Sequence, residues 1–117
     1  MAEMVLQART NENNLQNMLG EVAQAIKDLY PESTVMLFGS HARGEATEDS
    51  DVDICVLVPN LIGRKLDMQV EAYGIAKHKS QLPLDLLIYT HDEFEESAKW
   101  PSRIQHWIKQ EGVVINA

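Results

Sequence analysis

Two apolar runs, parted by a Gly-Ser pair and a polar stretch, constrain this chain more than any other feature. Val35-Met36-Leu37-Phe38 ends at Gly39-Ser40, and after a gap of ten residues Asp51-Val52-Asp53 opens a second run through Val58. Successive side chains of a strand point to opposite sides. Val52, Ile54, Val56 and Val58 therefore read as one face, and Asp51, Asp53, Cys55 and Leu57 as the other. Two carboxylates on one side repel unless a cation lies between them. Oxygen-only donors suit Mg²⁺, and Mg²⁺ completes its shell with phosphate oxygens. The Gly-Ser turn offers backbone N–H groups to an anion. A third carboxylate, Asp85, stands inside the run Pro83-Leu84-Asp85-Leu86-Leu87-Ile88-Tyr89. Each feature also has a plainer reading. The first pair could cap a turn, Asp85 could mark an exposed edge strand, and Gly39-Ser40 could be only a turn. An aspartate buried unpaired among leucines would be costly.

The remaining pattern alternates helices and strands. Leu15, Met18, Leu19, Val22, Ile26 and Leu29 fall on one stripe, so a helix is expected over 13–30, ended by Tyr30-Pro31. Strands are expected at 34–38, 52–58 and 84–89, with a short helix from Gly39 to about Arg43 and a polar loop over 44–50. Ile62, Leu66, Val70, Tyr73 and Ala76 suggest a helix over 61–79. Thr90-His91-Asp92-Glu93 has the form of a capping box, with Glu93 reaching back, before a helix to about Ala98. Pro101 suits the start of a last helix, with Ile104, Trp107 and Ile108 as its apolar side and Gly112 as its cap. Val113–Ile115 could add a short strand. The order implies one small α/β (α+β) domain over residues 1–117, a mixed sheet with helices packed mainly on one face.

Composition narrows the function. The formal net charge is −8, which disfavours strong nucleic-acid binding by the chain alone. No apolar run approaches the ~20 residues that span a bilayer. The N-terminus lacks the pattern of a secretory signal, and the one cysteine, Cys55, forms no internal disulfide. A cytoplasmic protein without a membrane partner is expected. His41, His78, His91 and His106 show no zinc spacing, and Cys55 reads as core packing. Trp100 and Trp107 read as packing of the C-terminal helices. Ser50 is expected to bond backbone near Asp51. Arg43 reads equally as a triphosphate contact or as the ion-pair partner of Asp51 or Glu45.

Phe38-Gly39-Ser40, a ten-residue gap and Asp51-Val52-Asp53-Ile54 resemble the signature of nucleotidyltransferases with a polymerase-β-like core. GSHARGEA followed by DSDVD, the short length and the ending Gln110-Glu111-Gly112-Val113-Val114-Ile115 look like the minimal nucleotidyltransferases of bacteria and archaea. The resemblance implies the nucleotidyltransferase fold, and two Mg²⁺ ions held by Asp51, Asp53 and Asp85 as metal-binding and catalytic residues. It places Gly39, Ser40 and Arg43 on the nucleotide, with ATP as the expected donor. Larger relatives add a helical domain for the acceptor. Its lack here implies that a partner supplies the acceptor, in this family usually a HEPN-like helical protein encoded nearby. The expected reaction moves AMP from ATP to a hydroxyl, in that setting a tyrosine of a toxin, and so acts as an antitoxin. The alternatives are a non-enzymatic antitoxin that masks its partner by contact, and transfer to a small molecule or RNA.

Overall fold

The computed structural model describes residues 2–115, with side chains described from Asn14 onward. Its elements run α1 (Ala2–Leu29), β1 (Thr34–Phe38), α2 (Ser40–Arg43), β2 (Val52–Val58), α3 (Lys65–Lys79), β3 (Leu84–Thr90), α4 (His91–Ala98), α5 (Ile104–Glu111) and β4 (Val113–Val114). One four-stranded sheet has the order β3-β2-β1-β4. β1 pairs antiparallel with β2 and β4, while β2 and β3 are parallel. The parallel pair requires a crossover, which α3 provides.

Side-chain alternation along the strands builds two unequal cores. Val35, Leu37, Val52, Ile54, Val56, Val58, Leu84, Leu86 and Ile88 point to one face. There they meet Met18, Leu19, Val22, Ala23 and Ile26 of α1 and Met68, Ala72 and Ala76 of α3. Met36, Phe38, Cys55 and Leu57 point to the other face, where Phe94 of α4 and Ile108 of α5 cover them. The larger helical layer thus lies on one face, and α4 with α5 adds a smaller one opposite.

The strands stand where the alternation puts them; several helical details differ. α1 begins at Ala2 rather than at residue 13, and α3 begins at Lys65 rather than 61. Part of the expected stripe is turned outward: Ile62, which precedes α3, Leu66 and Val70 are 75%, 63% and 65% exposed. Ala76 of that stripe is buried and Tyr73 packs partly buried against the core, while Met68 and Ala72 complete the inner side. Two alanines on the inner side let α3 approach α1 and the sheet closely, which the bulkier stripe would prevent. α5 begins at Ile104, three residues beyond Pro101. Its inner side is Ile108 with a buried Gln105, whereas Ile104, Trp107 and the neighbouring Trp100 are about half exposed. Thr90 does cap α4, its hydroxyl accepting from the Glu93 N–H at 3.1 Å. The Glu93 carboxylate does not reach back; it takes the Lys65 ammonium at 2.7 Å. Gly112 ends α5, where a Cβ would meet the Ile108 carbonyl at 2.5 Å and the Met36 methyl at 2.6 Å.

Among the described residues no helix is long and apolar enough to cross a membrane.

Candidate functional site

The sequence-predicted residues gather where β1 ends and β2 and β3 begin. Phe38, the last residue of β1, lies opposite Asp53 of β2. Asp53 lies opposite Asp85 of β3. Adjacent strands are about 4.8 Å apart, and partners in register share a face. The two aspartates therefore stand side by side on the face covered by α4 and α5, beyond the end of that cover. Asp53 is half-buried and Asp85 exposed. The edge-strand reading of Asp85 and the site reading meet here, since β3 is an edge of the sheet and Asp85 still neighbours Asp53. Asp51 is exposed, one residue before β2.

Charge ties the three together. Burial pushes the Asp53 carboxyl above its ordinary range; the negative charges of Asp85 and Asp51 push it further, while His41 and Arg43 pull the other way. An acidic group that holds its proton too firmly is one that a cation would relieve. Among the described residues no three His, Cys, Asp or Glu side chains are grouped so as to hold a metal ion. Mg²⁺ can be held by one or two carboxylates, with water and phosphate oxygens completing its shell. The donors present are all oxygen and fit that ion.

Gly39 makes the turn over this acidic pair. Its φ of 77° and ψ of −156° lie in a region that only glycine adopts readily. A Cβ there would come within 2.1 Å of Asp53 Oδ2. The backbone of Gly39 is thus laid directly on the Asp53 carboxylate, and any side chain would separate them. Ser40 follows as the first residue of α2, half-buried. The polar loop leading to Asp51 is tied down locally. The Thr47 N–H donates to Ser50 Oγ at 2.8 Å, so Ser50 bonds backbone as expected but at Thr47 rather than beside Asp51. His41 Nε2 donates to the Ser50 carbonyl at 3.1 Å.

Arg43, at the end of α2, pairs with Glu45 at 2.9 Å and with Glu111 at 3.1 Å. Of its two expected ion-pair partners, Asp51 and Glu45, Glu45 is the one it meets. Glu111 was not among the candidate residues. It lies 68 positions from Arg43 in the chain and reads in the sequence as the polar end of a helix, so no local spacing could have found it. Cys55, two residues beyond Asp53, is fully buried, and burial pushes its thiol up to about 12. It packs the core and is no nucleophile. A cavity of about 400 Å³, lined by Tyr30, Pro31, Val58, Pro59 and Ile62 among others, lies at the other end of β1 and β2, away from the acidic pair.

An acidic pair thus lies under a glycine turn at one end of a mixed sheet layered with helices. The chain belongs to the nucleotidyltransferase domain family, whose model matches residues 19–112. Two proteins of Methanocaldococcus jannaschii named "putative protein adenylyltransferase" resemble it in sequence. One is 42% identical over 59 residues, covering 49% of this chain and 40% of the relative. The other is 43% identical over 44 residues, covering 38% of this chain and 44% of the relative. The matches thus span less than half the length of these curated relatives. Two solved structures share the fold. A "putative nucleotidyltransferase" from Sulfolobus solfataricus superposes with a TM-score of 0.59 at 16% identity, over 88% of this chain and 82% of that one. A toxin-antitoxin structure with AMP-PNP gives a TM-score of 0.55 at 17% identity, over 83% and 71%.

Proposed function

We propose that this protein is a Mg²⁺-dependent adenylyltransferase that moves AMP from ATP to a hydroxyl of a partner protein in the cytoplasm. The observation that carries the reading is the register of Asp53 with Asp85 directly beneath the Gly39 turn. Asp51, Asp53 and Asp85 would hold two Mg²⁺ ions. When bound, Mg²⁺ polarises the reacting phosphate and lowers the pKa of the attacking hydroxyl. Gly39 and Ser40 offer N–H groups and the Ser40 hydroxyl to the terminal phosphates, and Arg43 offers its guanidinium. Asp85, exposed on the edge strand, stands where an acceptor can approach and takes the hydroxyl proton. The acceptor oxygen bonds to the α-phosphorus, the bond from that phosphorus to the bridging oxygen breaks, and pyrophosphate leaves.

Protein acceptors are supported by the names of the two archaeal relatives and by the toxin-antitoxin structure among the fold neighbours. The resemblance to minimal nucleotidyltransferases makes the partner a HEPN-type toxin, modified on a tyrosine and thereby neutralised. The half-exposed Trp100, Ile104 and Trp107 give such a partner an apolar place to rest. The same surface would serve an antitoxin that acts by contact alone.

Incubating the protein with ATP labelled at the α-phosphate, Mg²⁺ and the HEPN-type neighbour separates the two. Label on a partner tyrosine, lost with Asp53→Asn, is the expected result. Neutralisation that persists in Asp51→Asn/Asp53→Asn without any label would overturn the enzymatic reading.

A further inference from the structure

Glu111 closes α5 and reaches the candidate site from the opposite end of the chain. Its Oε1 accepts from the Gly39 N–H at 3.3 Å and from Arg43 Nη1 at 3.2 Å, and its Oε2 from Arg43 Nη1 at 3.1 Å. One carboxylate thus covers the glycine N–H and the guanidinium that the proposed function assigns to the triphosphate. Carboxylate and phosphate oxygens make the same demand on such donors: a negative oxygen facing an N–H and an arginine fork.

We propose that Glu111 is a resident anion, occupying the phosphate subsite in the nucleotide-free protein and giving way when the triphosphate enters. This rests on the adenylyltransferase reading above. The contact is easily exchanged. The Arg43 side chain is 44% exposed and that of Glu111 24%, and ion pairs so open to water add little to stability. A triphosphate brings several negative oxygens to donors that Glu111 serves with two. The contact therefore sets a threshold for nucleotide binding without blocking it.

The opposite role, a brace that aims Arg43 at the nucleotide, predicts the opposite sign. Titration of AMP-PNP with Mg²⁺ into the whole protein, followed by calorimetry, separates them. Glu111→Gln is expected to bind about threefold to tenfold more tightly than the wild type, the scale of one lost surface ion pair. Glu111→Asp, which withdraws the charge by one methylene, is expected to gain less. Arg43→Ala binds more weakly, and in that background Glu111→Gln brings a smaller gain. Unchanged or weaker binding by both Glu111 variants, with melting curves that show them folded, overturns the resident-anion role and leaves the adenylyltransferase reading standing. Failure of all these proteins, wild type included, to bind AMP-PNP overturns both.

Discussion

The two faces of the sheet use the same strands differently. On the α1 and α3 side, β2 presents Val52, Ile54, Val56 and Val58, and all four are buried. On the α4 and α5 side it presents Asp53, then Cys55 and Leu57, and only the last two are buried. The first face is committed to stability along its whole length. The second is a core at one end and a charged opening at the other, the difference being one residue in the alternation. The candidate site occupies the unfinished end of a packed layer.

The largest expected effect tests whether the second face is a core at all. Phe94 is the largest fully buried side chain there. Phe94→Ala is expected to cost about 3–5 kcal/mol, and Ile26→Ala on the other face about 2–5 kcal/mol. Denaturant unfolding reads both, and a cost below about 1 kcal/mol for Phe94→Ala would show that α4 merely rests on the sheet.

A smaller effect of opposite sign is expected at the charged end. The folded-state pKa of Asp53 is raised above its ordinary value of 3.8, so the folded chain binds the proton more firmly than the unfolded one. Stability is then lost as pH rises from the ordinary value through the folded one, and the loss is complete above both. Asp53→Asn should melt higher than the wild type at pH 7, with the difference shrinking as the pH falls toward 4. Mg²⁺ should narrow the gap at pH 7 by raising the wild type alone. An asparagine variant that melts lower at pH 7 would mean that the carboxylate supports the fold rather than straining it.

The smallest effect belongs to the outward side of α3. Val70 is 65% exposed, and Val70→Ser should change stability by no more than about 0.5 kcal/mol. A large loss by the same denaturant measurement would restore the stripe that the apolar spacing suggested.

That stripe shows where sequence reading stops. The strands were legible because their alternation is strict and their ends are marked by Gly39, Pro59 and Thr90. α3 carries apolar residues on two sides, and spacing alone favoured the bulkier Leu66 and Val70 over Ala72, although it did include the buried Ala76. Packing decided otherwise, since close approach to α1 and the sheet favours the smaller side chains. On α5 the expected Ile108 is buried, while Ile104 and Trp107 are about half exposed and Gln105 takes an inner place. At the site, Gly39, Ser40, Asp51 and Asp53 were legible because the motif is compact in sequence. Asp85 followed from the family resemblance, which calls for a third carboxylate on a later strand. Glu111 was invisible because its partners belong to the other end of the chain, and only the closed fold brings them to it.

The parallel pairing of β2 with β3 carries a kinetic consequence. Asp53 and Asp85 meet only after the whole of α3 has crossed over and the two strands have zipped in register. Loop closure of this kind must come before the contacts that reward it, and it slows folding. A chain with only the β1–β2 hairpin formed would have the glycine turn over Asp53 and Asp51, with no neighbour from β3. If Mg²⁺ binds as proposed, nascent or partly unfolded molecules would gain less from it than the folded protein, and the ion would slow unfolding more than it speeds folding.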